Sequence, residues 1–109
     1  MEKSFNKLVR DNIPNIIKNN NEVAVIRILD ENEYRFELYR KLFEECGEVE
    51  KSKNSGEVLE ELADVLEIVK AIAELEGKEL NDVVTVANQK RLKRGGFTKR
   101  IFLEKTKDK

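Results

Sequence analysis

The sequence lacks histidine and tryptophan altogether, and it has one cysteine and one proline among 109 residues. The absence of histidine excludes zinc sites that use imidazole and the Ser-His and Cys-His catalytic pairs. Because the single cysteine, Cys46, cannot form a disulfide within the chain, we expect a reducing compartment. Any enzyme built from this chain must therefore use carboxylates, lysine, arginine, tyrosine or a metal ion.

Long apolar runs are also missing. The opening MEKSFNKLVRDNIP has no apolar core of the kind that a signal peptide needs, and the most apolar stretch, VLEIVKAIAEL, is interrupted by Glu67 and Lys70. These features predict a soluble cytoplasmic protein with no membrane partner. The length predicts a single domain that spans residues 1–109.

Charge is abundant but unevenly distributed. Charged residues make up 39% of the chain and nearly cancel to −1, yet residues 30–79 carry sixteen of the twenty-two acids. Residues 90–109 carry nine Lys/Arg against two acids. The acidic middle could attract a metal ion and the basic end could attract phosphates. The alternative is a solvated helical surface that ends in a basic tail.

Apolar periodicity predicts a mainly α protein with about four helices and a small two-stranded β ribbon. The first helix begins at Pro14, the second is capped by Asp30 with Glu33 completing a capping box, and the third runs from about Glu57 to Glu76. The fourth occupies residues 78–94, with Asn81 or Asp82 as its cap and Gly95-Gly96 as its end. The ribbon would pair residues 22–29 with residues 97–105.

Two acidic pairs lie three residues apart on neighbouring predicted helices: Glu45 with Glu48, and Glu61 with Asp64. On a helical wheel, each pair falls at the margin of the apolar stripe, which also contains Cys46 in the second helix. Carboxylates withdrawn from water and crowded together are costly unless a cation pairs with them. The spacing therefore favours a divalent cation, whereas the alternative places the acids on a solvated rim, paired with Lys41 or Lys70.

The motif EECGE, followed by twelve residues and then ELAD, resembles the E-E-x-x-E and E-x-x-D signature of the all-α NTP pyrophosphohydrolases, the MazG-like superfamily. The opening FNKLVRDNIPNII and the later KRLKRGGF resemble the branch described as phosphoribosyl-ATP pyrophosphohydrolase-like or house-cleaning NTP pyrophosphatase. These segments together span nearly the whole chain. The resemblance implies a MazG-like helical bundle.

The resemblance also implies a site and a reaction. Glu45, Glu48, Glu61 and Asp64 match the ligands of Mg²⁺, for which Mn²⁺ is an alternative, and Glu44 matches the first acid of the motif. The implied reaction cleaves a nucleoside triphosphate between its α and β phosphates, and it yields a nucleoside monophosphate and pyrophosphate. The implied assembly is a homodimer or homotetramer. We assign Glu44 and Glu45 as catalytic residues. Glu44 points away from the apolar stripe on the helical wheel, so its role is either to support the metal ligands or to orient the attacking water.

A triphosphate also needs cationic partners. Lys90 and Arg94 lie four residues apart on one face of the fourth helix, and Lys7 and Arg10 lie in the opening block; these four are the candidate substrate-binding residues. The alternatives are a solvated helix end for the first two and an Arg10–Asp11 ion pair that ties the N-terminus to the bundle.

Three other functions fit the same residues. The first is hydrolysis of phosphoribosyl-ATP in histidine biosynthesis. The second is a non-catalytic helical module that dimerises through its apolar faces. The third, nucleic-acid binding by KRLKRGGFTKR, is disfavoured because few aromatic residues interleave the charges.

Overall fold

The computed structural model describes all 109 residues and contains four helices and no strand. The helices are α1 (Ile13–Asn19), α2 (Glu31–Lys51), α3 (Ser55–Leu75) and α4 (Leu80–Arg94). The predicted mainly α architecture is confirmed. None of the four helices combines the length and the hydropathy needed to cross a bilayer.

The central unit is the α2–α3 hairpin. α2 packs along α3, and α3 also contacts α4. Arg35, near the start of α2, forms an ion pair with Glu76, which directly follows α3. The two helices therefore run antiparallel, and the short connection at residues 52–54 brings the end of α2 beside the start of α3.

Local side-chain caps determine where α2 and α3 begin. The carboxylate of Asp30 accepts a hydrogen bond from the backbone N–H of Glu33 at 2.9 Å, as predicted. The Glu33 carboxylate does not complete the capping box, because it accepts hydrogen bonds from Arg27 instead. Asn54 caps α3 through the N–H of Glu57 at 2.9 Å, so α3 begins two residues earlier than predicted.

The start of α4 differs from the prediction, and its end agrees with it. The residue that precedes the helix is Glu79, not the predicted Asn81 or Asp82, and its N–H donates to the Asp82 carboxylate at 2.8 Å. At the other end, Gly95 has φ +82°, a left-handed conformation that favours glycine, and its N–H donates to the Arg91 carbonyl at 2.8 Å. The helix therefore stops at the predicted glycine.

The predicted β ribbon is absent. Residues 22–29 and 97–105 lie outside the helices, and no backbone hydrogen bond joins the two segments. The N–H of Arg100 closes a turn on the Phe97 carbonyl at 3.0 Å, and Arg100 has φ +59°, which an extended strand does not allow. A β-strand exists only when a neighbour satisfies its backbone groups, and this chain places no neighbour beside either segment.

Few side chains are fully buried. Only Leu38 in α2 and Ile68 and Ala73 in α3 fall in the buried class. Cys46, which the helical wheel placed in the apolar stripe, is exposed, and Phe43 is 81% exposed. One chain therefore covers only part of each apolar helix face, because the two helices contact each other along a narrow seam.

Candidate metal centre

Three carboxylates from two helices meet beside the α2–α3 turn. Glu45 lies near the end of α2, and Glu61 and Asp64 lie in the first half of α3. One carboxylate oxygen from each residue lies within 4.8 Å of the others. All three side chains are half-buried, as expected for positions at the margin of an apolar face. We call this group the acidic cluster.

The fourth predicted ligand, Glu48, lies outside the acidic cluster. Its side chain is exposed, and its oxygens do not join the group of three. Its charge still acts on the cluster, because it is one of the groups that raise the pKa of Glu61. Glu48 thus stands next to the cluster, and its role as a ligand stays a prediction.

The surroundings of the acidic cluster raise the pKa of Glu61. Partial burial raises the pKa of Glu61, and the negative charges of Asp64 and Glu45 raise it further. Both causes act in the same direction, since removal of water and added negative charge each disfavour the ionised carboxylate. The ionised form of Glu61 is therefore disfavoured.

A cation from elsewhere in the chain already contacts the edge of the cluster. Arg10 Nη2 lies 2.7 Å from Asp64 Oδ1, across 54 residues of sequence. The alternative Arg10–Asp11 pair does not form. The Arg10–Asp64 pair is open to solvent, so its contribution to stability is small. It nevertheless holds the segment that precedes α1 against the start of α3.

Lys41 supplies a second cation on the α2 side. Its Nζ lies 3.9 Å from Glu45 Oε1 and 4.0 Å from Glu44 Oε2. The solvated-rim alternative names Lys41 or Lys70 as the partner of these acids, and the structure forms the Lys41 pairs. The functional assignments from sequence omitted Lys41, although its i, i+3 and i, i+4 spacing to the two glutamates was visible.

The opening block and Glu44 border a common depression. It is shallow and lined mainly by charged side chains: Lys7, Leu8, Glu37, Arg40, Lys41 and Glu44. Lys7 and Glu44, which the sequence assigned to substrate and to catalysis, thus line one surface that Lys41 connects to the acidic cluster. An anionic ligand there would meet three cationic side chains and two carboxylates, and two of the cations already pair with those carboxylates.

Lys90 and Arg94 lie elsewhere. Both line a second depression that consists of α4 residues alone, together with Val86, Gln89 and Lys93. Neither forms an ion pair with the acidic cluster. Within one chain, the structure therefore brings Glu45, Glu61, Asp64 and Arg10 together and leaves Lys90 and Arg94 apart.

Comparisons of the chain with models of protein families, with curated proteins and with solved structures found no match. The functional assignment therefore depends on the geometry and chemistry of the acidic cluster and on the motifs in the sequence.

Proposed function

We propose that the protein is a Mg²⁺-dependent nucleoside triphosphate pyrophosphohydrolase of the MazG-like kind. It would cleave the bond between the α and β phosphates and release a nucleoside monophosphate and pyrophosphate, with non-canonical nucleotides as its substrates. The supporting observation is the convergence of Glu45, Glu61 and Asp64 from two antiparallel helices. A cluster made only of carboxylates suits a hard divalent cation.

The dimensions of the cluster are close to those that this ion requires. With Mg–O distances of about 2.1 Å in octahedral geometry, neighbouring ligand oxygens lie about 3.0 Å apart and opposite ones about 4.2 Å apart. The three oxygens, which lie within 4.8 Å of one another, would need side-chain rotations that bring them closer to reach these spacings. A dication would also relieve the repulsion that raises the pKa of Glu61. Mn²⁺ prefers the same oxygen ligands and is the alternative ion.

Each residue has a proposed role. The bound ion would neutralise phosphate charge as the bond breaks. Glu45, Glu61 and Asp64 hold it, with Glu48 as the fourth predicted ligand. Glu44 would orient the attacking water, because it lines the shared depression and lies outside the acidic cluster. Lys7 and Arg10 contact the phosphates, and Arg10 leaves Asp64 when it does so.

The assembly is part of the same proposal. Lys90 and Arg94 lie on α4, away from the acidic cluster of their own chain. If they bind the triphosphate, they reach it from a neighbouring copy in a homodimer or homotetramer. The exposed apolar faces of α2 and α3, including Phe43, are available for such packing.

Two alternatives remain. Phosphoribosyl-ATP carries the same α–β bond, so the acidic cluster would serve its hydrolysis equally well. The other is a non-catalytic helical dimerisation module. The ion pairs that Arg10 and Lys41 make with the cluster favour this second alternative, because they balance part of its charge without a metal.

The test is pyrophosphate release from a panel of canonical and modified NTPs, dNTPs and phosphoribosyl-ATP. Each substrate is assayed with Mg²⁺, with Mn²⁺ and with a chelator. We expect metal-dependent release from at least one nucleoside triphosphate. Release from phosphoribosyl-ATP alone would support the biosynthetic alternative, and no release from any substrate would support the non-catalytic module.

A matched pair of variants tests whether the acidic cluster carries the activity. Glu61→Gln removes a charge inside the cluster, whereas Glu60→Gln removes the same charge from the adjacent exposed position of α3. We expect Glu61→Gln to lose metal-dependent turnover and Glu60→Gln to retain it. Equal activities in the two variants would contradict the assignment.

A further inference from the structure

The surface of the single chain is too large for a folded monomer of its mass. Its accessible surface is 10559 Å², whereas a 12.7 kDa monomer is expected to expose about 6,200 Å². The radius of gyration is 18.8 Å, against about 13 Å for a compact domain of this length. The excess is about 4,300 Å² per chain, or about 8,600 Å² for two chains, which is more than the roughly 2,000–5,000 Å² of total surface that obligate homodimers commonly bury. A second copy of the chain has the capacity to cover part of it.

Two segments outside the helices account for part of this excess. Residues 22–29 and 101–105 expose most of their large apolar side chains, with Val25 at 95% and Phe102 at 87%. Both sequences are rich in β-branched or aromatic residues, which suit strands. No backbone-to-backbone hydrogen bond involves residues 23–29 or 101–105. Each segment therefore has an unpaired backbone and exposed apolar side chains.

Each segment is itself neutral, but the residues that flank the two segments differ in charge. Residues 22–33 contain four acids against one arginine, and that arginine, Arg27, is already paired with Glu33. Residues 97–109 contain five Lys/Arg against two acids. Contact between these two regions would bring net negative charge to net positive charge, which favours correct pairing over pairing of either segment with itself.

We propose that two copies of this chain exchange these segments, so that residues 101–105 of each copy pair along residues 22–29 of the other. The inference specifies the contacts within the self-association proposed above, but it does not depend on catalysis. Strand pairing of this kind satisfies backbone groups and buries apolar side chains in one step. The exchange forms two identical contacts related by a two-fold axis, so the assembly closes as a dimer.

The first test is sedimentation equilibrium of the full chain and of charged variants. Val25→Asp and Phe102→Asp place a carboxylate in the contact, and Thr106→Asp adds the same charge outside it. We expect a wild-type dimer, dissociation constants raised at least about tenfold by the first two changes, and no change from the third. A monomeric wild type would refute self-association itself. A dimer that neither variant weakens would refute only the segment assignment.

A mixing experiment distinguishes exchange between copies from pairing within one copy. A heterodimer of Val25→Asp and Phe102→Asp chains keeps one of its two contacts fully wild-type, whereas each variant alone damages both contacts. We expect the mixture to dimerise more tightly than either variant alone. The absence of rescue would overturn the exchange. Helical circular dichroism of each variant serves as the folding control, since both substitutions lie outside the helices.

Discussion

The α2–α3 hairpin and the region from α4 to the C-terminus are organised in opposite ways. The hairpin contains all three buried residues and brings its carboxylates together at one point. α4 has no buried residue, Leu92 is 90% exposed, and its basic side chains line a depression of their own. Contacts within the chain thus determine the hairpin, whereas the C-terminal region has apolar surfaces that the chain itself leaves exposed.

The largest expected effect concerns the hairpin. Asp64→Ala should lower metal-dependent pyrophosphate release by about 100- to 1,000-fold, because loss of a ligand forfeits several kcal/mol of charge stabilisation. Glu48→Ala should cost less, since Glu48 lies outside the acidic cluster. Steady-state kinetics measure both, and helical circular dichroism should remain intact. A larger loss from Glu48→Ala would mean that this residue, more than Asp64, holds the ion.

The second prediction compares a buried apolar residue of the hairpin with an exposed one of α4. Ile68→Ala in α3 should lower the free energy of unfolding by about 2–5 kcal/mol, because it leaves a cavity in the seam. Leu92→Ala in α4 should change it by less than about 0.5 kcal/mol in the monomer. Urea unfolding measures both. A large cost for Leu92→Ala would show that α4 is packed against something in solution.

The third prediction concerns Arg10, which links the N-terminal segment to the hairpin. Since Arg10 contacts Asp64 and would compete there with the proposed dication, Arg10→Ala should strengthen the binding of Mg²⁺ or Mn²⁺ alone. The gain should be at most about fivefold, because an exposed ion pair contributes at most about 1 kcal/mol. Calorimetric titration without nucleotide measures it, with Lys18→Ala as the control. Weaker metal binding in Arg10→Ala would contradict this competition.

The smallest effect is a dependence of stability on pH. Because the pKa of Glu61 is raised in the folded chain above its ordinary 4.5, the folded state binds more protons than the unfolded state just above that value. The contribution of Glu61 to stability therefore falls as the pH rises through this interval. Glu61→Gln should be more stable than wild type at neutral pH, and the difference should vanish in acid. Thermal unfolding in metal-free buffer at several pH values measures it.

Local patterns predicted much of the hairpin and the end of α4. The Asp30 cap and the Gly95 stop follow from neighbouring residues, and the approach of Glu45 to Glu61 and Asp64 follows from their places at the margins of two apolar faces. We did not predict Glu79 as the cap because glutamate is not a preferred capping residue. The hydrogen bond at this end runs from the Glu79 N–H to the Asp82 carboxylate.

Long-range contacts were harder to predict. Nothing in the opening block indicates that Arg10 pairs with Asp64 instead of its neighbour Asp11, since that choice depends on how the chain returns to α3. The prediction of a ribbon between residues 22–29 and 97–105 was wrong for the same reason. Strand propensity is a local property of a segment, but its pairing partner is not.

The exposure of Cys46 has a practical consequence. It is the only thiol in the chain, and it directly follows Glu45. A maleimide fluorophore would therefore attach at one known position on α2, without prior mutagenesis to remove other cysteines. Its emission would test the proposed ion binding, and energy transfer between labelled copies would test the proposed association.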